Sequence, residues 1–296
     1  MKLPKRICLI CLILLLVGCL AGQVQAGENK LPLRVVSLSP LVTENIYLLG
    51  AQDRLAANTI YCNLPPEARL KEKVGSMTHA NVEKILGLKS DLVIACPLTN
   101  QLQMDQLAQV GIRVVQMENP KTFEMICRTT MTLGEMLGCR AQAKDLVLSV
   151  KKKAADARRK TKGLKPPRVF IQVGMSPLKT ATGDSFISEY IRYCGGTNIS
   201  AGASSKIITV EEVVVKNPEV ILIATMGSSK GAGRAVKNKW LGYKVIQAVK
   251  DGRVHILDPE IICSPTPASF FKAIEAILPL IHPHVKLDED KENNAR

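Results

Sequence analysis

The sequence predicts an α/β protein of two Rossmann-like lobes with central parallel sheets, joined by one long α-helix. Short apolar runs alternate with helical patterns along most of the chain, which is typical of parallel sheets with helical crossovers. The stretch NVEKILGLKSDLVIA at residues 81–95 returns 128 positions later as TVEEVVVKNPEVILI at residues 209–223. A long helical pattern lies between the two copies. A chain of two similar halves with a helix between them accounts for all three observations.

The first predicted lobe covers residues 33–137 and alternates strands with helices. Its strands are expected over residues 33–40, 54–59, 91–95 and 113–117, and its helices over residues 41–50, 82–88, 105–111 and 121–137. The strands are rich in β-branched and apolar residues, and Pro40, Gly50 and Gly111 mark where elements end. Because the polar breaks between the elements are short, we expect parallel strands with right-handed crossovers.

The predicted bridging helix occupies residues 139–163, and the second lobe follows over residues 167–284. Residues at helical spacing form an apolar stripe along the bridge: Leu146, Val147, Val150, Ala154 and Ala157. The second lobe repeats the first pattern, with strands expected over residues 168–173, 219–225 and 253–259 and helices over residues 185–196, 209–217, 240–250 and 266–281. Trp240 is expected to begin the third of these helices. Residues 285–296 are polar and are expected to fray as a tail.

The first residues have the pattern of an export signal. A basic head within the first six residues precedes an apolar run over residues 7–17. The stretch LVGC, Leu16 to Cys19, resembles the bacterial lipoprotein signal, in which residues 1–18 are removed and the cysteine is lipidated. Secretion with cleavage after Ala26 is the alternative. Because no second long apolar stretch follows, we expect a protein of the periplasm or cell envelope that a lipid at Cys19 anchors to the membrane.

The chain is strongly basic, with a formal net charge of +14 for its 296 residues. Removing residues 1–18 takes away three basic residues and no acid, which leaves +11. The basic residues concentrate between residues 140 and 165, where they form either the solvated face of a helix or a surface attracted to acidic lipid or an anionic ligand. An exported protein rarely meets nucleic acid, so we expect no nucleic-acid partner.

Two lobes tied by one helix leave a cleft between the loops at the carboxyl ends of their strands, where small molecules bind in open parallel sheets. The residues that we expect to line it are Tyr61, Cys62, Met77, His79, Cys96, Met175, Ser176, Met226, Cys263 and Ser264. No HExxH, GxSxG or phosphate-binding P-loop pattern occurs, so we expect no catalytic residues and no enzyme activity. The sulfur ligands together with His79 would suit copper or haem. A mixed apolar and polar wall is the simpler interpretation, and we expect no metal centre.

Six cysteines follow Cys19 in the chain: Cys62, Cys96, Cys127, Cys139, Cys194 and Cys263. They form no CxxC pair and no zinc-ribbon spacing. Cys127 and Cys139 lie on successive helical stretches and are expected to be small buried residues. In an oxidising compartment some of the six could pair, but the sequence does not assign partners.

Glu83 and Glu211 occupy equivalent positions in the repeated stretch. Each lies two residues after a predicted capping residue, Asn81 or Thr209, and therefore in the first turn of a helix. A carboxylate there stabilises the helix through its dipole by about 0.3–1 kcal/mol, and this effect alone is enough to explain the presence of both glutamates. Their position, one in each lobe at the edge that flanks the cleft, also suits a partner that offers two arginines.

Four stretches resemble the substrate-binding proteins of bacterial ABC importers for vitamin B12, iron-siderophores and haem: RVVSLSPLVTENIYLLGA, YCNLPPEA, VGSMTHANVEKILGLKSDLVIA and TGDSFISEYIRYCGGTNIS. The resemblance covers Leu33 to about His284. It implies a class III periplasmic binding protein whose rigid helix allows only a small closure when ligand binds. It also implies delivery of a metal chelate to an ABC permease and its ATPase, with Glu83 and Glu211 docking on the permease. We expect the protein to act as a monomer.

The vitamin B12 binders of this family resemble the sequence most around IQVGMSPLKTATG and YCGGTNI, so a corrinoid is the first expected ligand, ahead of ferric siderophore and haem. The protein would then need no cofactor of its own, and its ligand would contain cobalt or iron. The sequence departs from those binders at aligned positions. Met77 and Ser205 stand where they carry tryptophans against the corrin, and Ser264 stands where they carry an arginine.

Two other functional classes remain as alternatives. A divalent-metal-binding protein of a bilobal importer needs three or four converging histidines and carboxylates, and only His79 is expected in the cleft. An exported non-transport enzyme, or an electron-transfer module on a related bilobal fold, needs a nucleophile with a base or clustered cysteines. The sequence has neither pattern.

Overall fold

The computed structural model describes residues 31–225 and 231–287. The strands of the first lobe are β1 (Val35–Ser37), β2 (Leu55–Asn58), β3 (Glu72–Lys73), β4 (Leu92–Ala95) and β5 (Arg113–Gln116). They form one parallel sheet in the order β3-β2-β1-β4-β5. The helices of this lobe are α1 (Pro40–Leu48), α2 (Val82–Gly87) and α3 (Gln101–Gln109). Separate apolar clusters cover the two faces of the sheet, so the central strands β1 and β4 are buried on both sides.

Local sequence signals set the bounds of these elements. Pro40 opens α1 in the first turn, where its missing N–H leaves no hydrogen bond unmade. Gly50 follows α1 with a φ of +70°, which glycine adopts without strain. Asn81 caps α2 by accepting a hydrogen bond from the Lys84 N–H at 2.9 Å. The chain winds outward in opposite directions from β1 and β4, so the loops after these two strands open the edge where ligands bind in such sheets.

The link between the lobes is a pair of helices, α4 (Phe123–Met136) and α5 (Arg140–Lys160). The 21 residues of α5 span about 31 Å. Helix α4 packs alongside it and contributes Phe123 and Ile126 to the core of the second lobe and Leu133 to the core of the first. The two helices touch closely, since a Cβ on Gly134 of α4 would lie 2.5 Å from the Cβ of Ala143 on α5. The sequence predicts the long helix α5; its partner α4 adds a second connection between the same two cores.

The second lobe repeats the topology of the first. Its strands are β6 (Arg168–Met175), β7 (Leu178–Thr180), β8 (Thr197–Asn198), β9 (Val220–Ile223) and β10 (Val254–Ile256). Its helices are α6 (Phe186–Tyr193), α7 (Val210–Lys216), α8 (Ala232–Leu241), α9 (Gln247–Lys250), α10 (Pro259–Ile262) and α11 (Pro267–Ile281). The pairing β8-β6-β9-β10 follows the order β2-β1-β4-β5 of the first lobe, with all four strands parallel. The predicted fold, two α/β lobes with central parallel sheets, is confirmed, and the repeated stretch forms α2–β4 in one lobe and α7–β9 in the other.

The second lobe also contains features that differ from the expectation. Strand β7 is antiparallel to β6, so residues 176–177 form the turn of a hairpin in an otherwise parallel sheet. The expected helix over residues 240–250 is wrong, because Trp240 lies in the last turn of α8 and only the short α9 follows. Val236 and Trp240, one helical turn apart, are both buried, and this face sets the position of α8. The indole N–H of Trp240 donates to Gln172 Oε1 at 2.7 Å within the lobe core.

None of the helices in residues 31–225 and 231–287 is both long enough and apolar enough to cross a membrane. The export signal over residues 1–18, the lipidation site Cys19, the cleft residue Met226 and most of the polar tail lie outside the described residues.

Candidate ligand cleft

A cavity of about 460 Å³ lies between the lobes at the edge that the strand order predicts. From the first lobe its lining includes Pro40, Leu41, Glu44, Tyr61, Leu64 and Met77. From the second lobe it includes Thr225, Pro259, Glu260, Cys263, Ser264 and Pro265. Most of this wall is apolar, with a few polar groups from each side, which is the usual composition of a small-molecule site.

Four of the expected cleft residues lie together at this cavity. Tyr61 and Met77 follow β2 and β3 in the first lobe, and Cys263 and Ser264 follow β10 in the second. Tyr61 is 52% exposed and contributes an aromatic side chain to the lining. Each side of the cavity therefore carries residues that we expected there because they follow the carboxyl ends of strands.

The other expected cleft residues lie elsewhere. Cys62 is fully buried behind the wall, where its sulfur lies 3.2 Å from the hydroxyl groups of Thr43 and Thr59. Cys96 is also buried. His79 is exposed, with its Nδ1 2.9 Å from the Thr78 hydroxyl. Met175 and Ser176 are exposed at the turn between β6 and β7. These positions share the strand-end edge with the cavity but do not line it.

The sequence reasoning missed Glu44, the charged residue that joins the two sides of the cavity. Glu44 lies on α1 in the first lobe and is only 9% exposed. Its Oε1 accepts a hydrogen bond from the Thr266 hydroxyl at 2.7 Å, and its Oε2 accepts one from the Ser264 hydroxyl. Both donors belong to the second lobe. The sequence did contain a signal for Glu44, since it lies on the same helical face as the apolar Leu41. A carboxylate on a face that packs against the core needs hydrogen-bond donors.

Burial dominates the electrostatics of Glu44. Loss of water raises the pKa of its carboxyl group above the ordinary value of 4.5, against the opposing effects of the Ser264 and Thr266 hydroxyls and the Lys272 charge. Thr266 also caps α11, since its side chain accepts from the Ser269 N–H at 3.2 Å and its own N–H donates to Ser269 Oγ at 3.1 Å. The carboxylate is therefore held against the N-terminus of a 15-residue helix, where negative charge is favourable.

We expect the stability contributed by Glu44 to increase as the pH falls. Because its pKa is raised in the folded protein, the fold binds more protons here than the unfolded chain between pH 4.5 and the raised pKa, so the free energy of unfolding rises as the pH drops through that window. The nearby Tyr190 and Cys263 stay neutral throughout it, since burial raises the pKa of each.

Thermal unfolding of the wild type and of Glu44→Gln, followed from pH 7.5 to 4.5, measures this effect. The difference in stability between the two should grow in favour of the wild type as the pH falls. A constant difference, or one with the opposite slope, would contradict the assignment.

The cysteine thiol at the cavity is a poor metal ligand. The six cysteines within residues 31–225 and 231–287 are free. Burial raises the pKa of Cys263, the one at the cavity, to about 12, so its thiol is protonated at neutral pH. Within residues 31–225 and 231–287, no three histidine, cysteine, aspartate or glutamate side chains converge as a metal site would require. Nothing in these residues favours the divalent-metal alternative.

Glu83 and Glu211 are exposed in the first turns of α2 and α7. The capping box of α7 uses Thr209 and Glu212, with the Thr209 N–H donating to Glu212 Oε2 at 2.8 Å, so Glu211 takes no part in it. Helix α2 follows the carboxyl end of β3. Helix α7 begins just after residues 206–208, and these residues pair with β7 beside the carboxyl end of β6. Each glutamate therefore lies on the cleft edge of its own lobe.

Comparison with known proteins gives consistent matches. The profile of a family described as periplasmic binding protein matches residues 35–261. A vitamin B12-binding protein of Photorhabdus laumondii is 33% identical over 237 residues, which cover 78% of this chain and 84% of that protein. An uncharacterised ABC transporter substrate-binding lipoprotein of Bacillus subtilis is 31% identical over 263 residues, covering 86% of this chain and 82% of that protein. The periplasmic vitamin B12 binding protein of Vibrio cholerae has a similar structure, with a TM-score of 0.71 and 28% identity over 85% of this chain and 97% of that one.

Proposed function

Because this chain belongs to the periplasmic binding protein family and is a substrate-binding protein of an ABC importer, we propose that it captures a corrinoid between its lobes and delivers it to the permease. The observation that carries this proposal is the cavity between the lobes, whose walls come from both of them. A ligand held there contacts both halves at once. Its presence can therefore be signalled to a partner that touches both lobes.

Two features support a corrinoid ahead of a ferric siderophore or haem. Two of the similar proteins are named for vitamin B12, at 33% and 28% identity. The wall offers apolar faces such as Leu64 and Met77 beside the aromatic ring of Tyr61, which suit the flat face of a corrin. A corrinoid is larger than the cavity of about 460 Å³, so one side of its rim would enter the cavity and the rest would lie across the opening.

We further propose that Glu83 and Glu211 contact the permease and that the protein works as a monomer. The two carboxylates are exposed, occupy equivalent helices, and lie on the cleft edge of each lobe. The relative from Bacillus subtilis is named as a lipoprotein, which supports lipidation of Cys19 and anchoring to the membrane. The membrane anchor would keep the protein near the permease that it serves.

A thermal-shift panel tests the ligand assignment. The mature protein is mixed with cobalamin, cobinamide, a ferric siderophore or haem. A ligand at 100 times its Kd stabilises the folded protein by about 2.7 kcal/mol, which raises the midpoint by several degrees. We expect the two corrinoids to give this shift. A shift with haem or ferric siderophore alone would replace the corrinoid assignment, and equilibrium dialysis with each ligand gives an independent measure of binding.

A further inference from the structure

Two of the polar side chains that line the cavity are acidic. Glu44 and Glu260 are both among the residues that line it, and none of the described lining residues is a lysine or an arginine. Within the described residues Glu44 forms no ion pair; its only opposite charge of influence is Lys272 on α11. Burial costs this carboxylate more than its two hydroxyl donors and Lys272 return, since the pKa of Glu44 stays raised. A hydrogen-bond donor from the ligand would compensate part of that loss.

Glu44 retains capacity for such a donor. A carboxylate has about four acceptor positions on its two oxygens. The protein fills one on each oxygen, from the Ser264 and Thr266 hydroxyls, and Glu44 still lines the cavity. The same two hydroxyls fix the carboxylate from the opposite lobe, and the capping box of Thr266 with Ser269 fixes one of them in turn. The acceptor is therefore positioned before ligand arrives, which reduces the entropy lost on binding.

We propose that Glu44 is a selectivity residue of the cleft, whose carboxylate accepts hydrogen bonds from the peripheral amide groups of a corrinoid and repels chelates with an anionic rim. The proposal rests on the function proposed above and adds the chemical feature that the site selects. The rim of a corrinoid carries neutral carboxamides, each with two N–H donors. Haem carries two propionates, and many ferric siderophores carry net negative charge. An anionic group beside this buried carboxylate finds no lysine or arginine among the described lining residues of the cavity, and is disfavoured by the like charge.

The ligand itself provides a test that does not depend on a variant's folding. In the monocarboxylic acids of cyanocobalamin, one peripheral amide is hydrolysed to a carboxylate and the rest of the molecule is unchanged. Isothermal titration at pH 7.5 compares the Kd of wild-type protein for cyanocobalamin and for each acid. We expect the acid whose changed group faces Glu44 to bind about tenfold more weakly or worse, because it loses a donor and gains a like charge.

The variant Glu44→Gln keeps the size of the side chain and removes its charge. The acid that binds the wild type weakly should therefore bind this variant nearly as tightly as cyanocobalamin does. Glu118→Gln is the matched control, since Glu118 is an exposed carboxylate that does not line the cavity, and its penalty should stay as in the wild type. Equal affinity of the wild type for cyanocobalamin and all its acids overturns the role of Glu44, as does a penalty that persists in Glu44→Gln. Failure of the wild type to bind any corrinoid instead overturns the proposed function, and the selectivity role with it.

Discussion

Reversing the charges of Glu83 and Glu211 together, by Glu83→Lys with Glu211→Lys, is expected to abolish corrinoid uptake by cells and to leave the affinity of the purified protein for its ligand unchanged. Both carboxylates are exposed and neither lines the cavity, so ligand contacts are not altered. At a docked interface each lysine would face a positive group of the permease, and a like-charge contact at an interface costs several kcal/mol. Uptake of labelled cobalamin, with titration of the purified variant, measures the two quantities separately.

The matched control places the same change of charge elsewhere. Glu135→Lys with Asp145→Lys also replaces two acids by two lysines and so makes the same change in net charge, but on the exposed faces of α4 and α5. We expect this double variant to retain uptake, which would show that net charge alone is not responsible. Each single reversal at Glu83 or Glu211 should lower uptake by about tenfold or more. Normal uptake by the Glu83 and Glu211 double variant would end the docking proposal.

Replacing Phe270 by alanine is expected to lower the free energy of unfolding by about 3–5 kcal/mol, the usual cost of removing a buried phenylalanine. Phe270 on α11 is fully buried. Its ring stacks on Phe123 of α4 at 4.2 Å between centroids and contacts Tyr190 and Tyr193 of α6 at 4.8 and 5.5 Å. The substitution therefore opens a cavity where the bridge meets the core of the second lobe. Denaturant unfolding, followed by far-ultraviolet circular dichroism, measures the loss.

Phe271, the next residue, provides the control. It is half-buried, and its ring lies 5.2 Å below the charged amine of Lys153 on α5. Phe271→Ala should cost about 1–2 kcal/mol, because this ring only partly contacts the core and less surface returns to water. Equal losses for the two variants would contradict the central place of Phe270 in the junction between the bridge and the second lobe.

Most of the fold could be predicted because its signals are local. The runs that form β1, β4 and β9 are apolar and β-branched, and helices, turns and caps separate them in the sequence. The repeat at residues 81–95 and 209–223 is enough by itself to identify α2–β4 and α7–β9 as equivalent units. The prediction is wrong at Trp240, because a large apolar residue near Gly242 has no local signal that separates the start of a helix from its end. In the structure α8 ends at Leu241, and Trp240 in its last turn is buried against Phe170 and bonded to Gln172.

The cleft was predictable only as an edge of the sheets. Small molecules bind beyond the carboxyl ends of parallel strands, and this preference correctly places four residues at the cavity: Tyr61, Met77, Cys263 and Ser264. The same preference does not distinguish the exposed Tyr61 from its buried neighbour Cys62. The loop has no regular alternation of exposed and buried residues from which their orientation could be predicted. Residue spacing also gave no reason to join Glu44 with Ser264 and Thr266, which lie 220 and 222 positions further along the chain.

The sequence by itself determined the two lobes, the long helix between them and membership of a family of transport proteins, since each depends on patterns that neighbouring residues carry. Only the tertiary structure decided that α4 doubles the bridge and that Glu44 meets Ser264 and Thr266 across the cleft. The physical reason is that a carboxylate acquires its pKa and its hydrogen-bond donors from segments brought to it by folding, here from the opposite lobe.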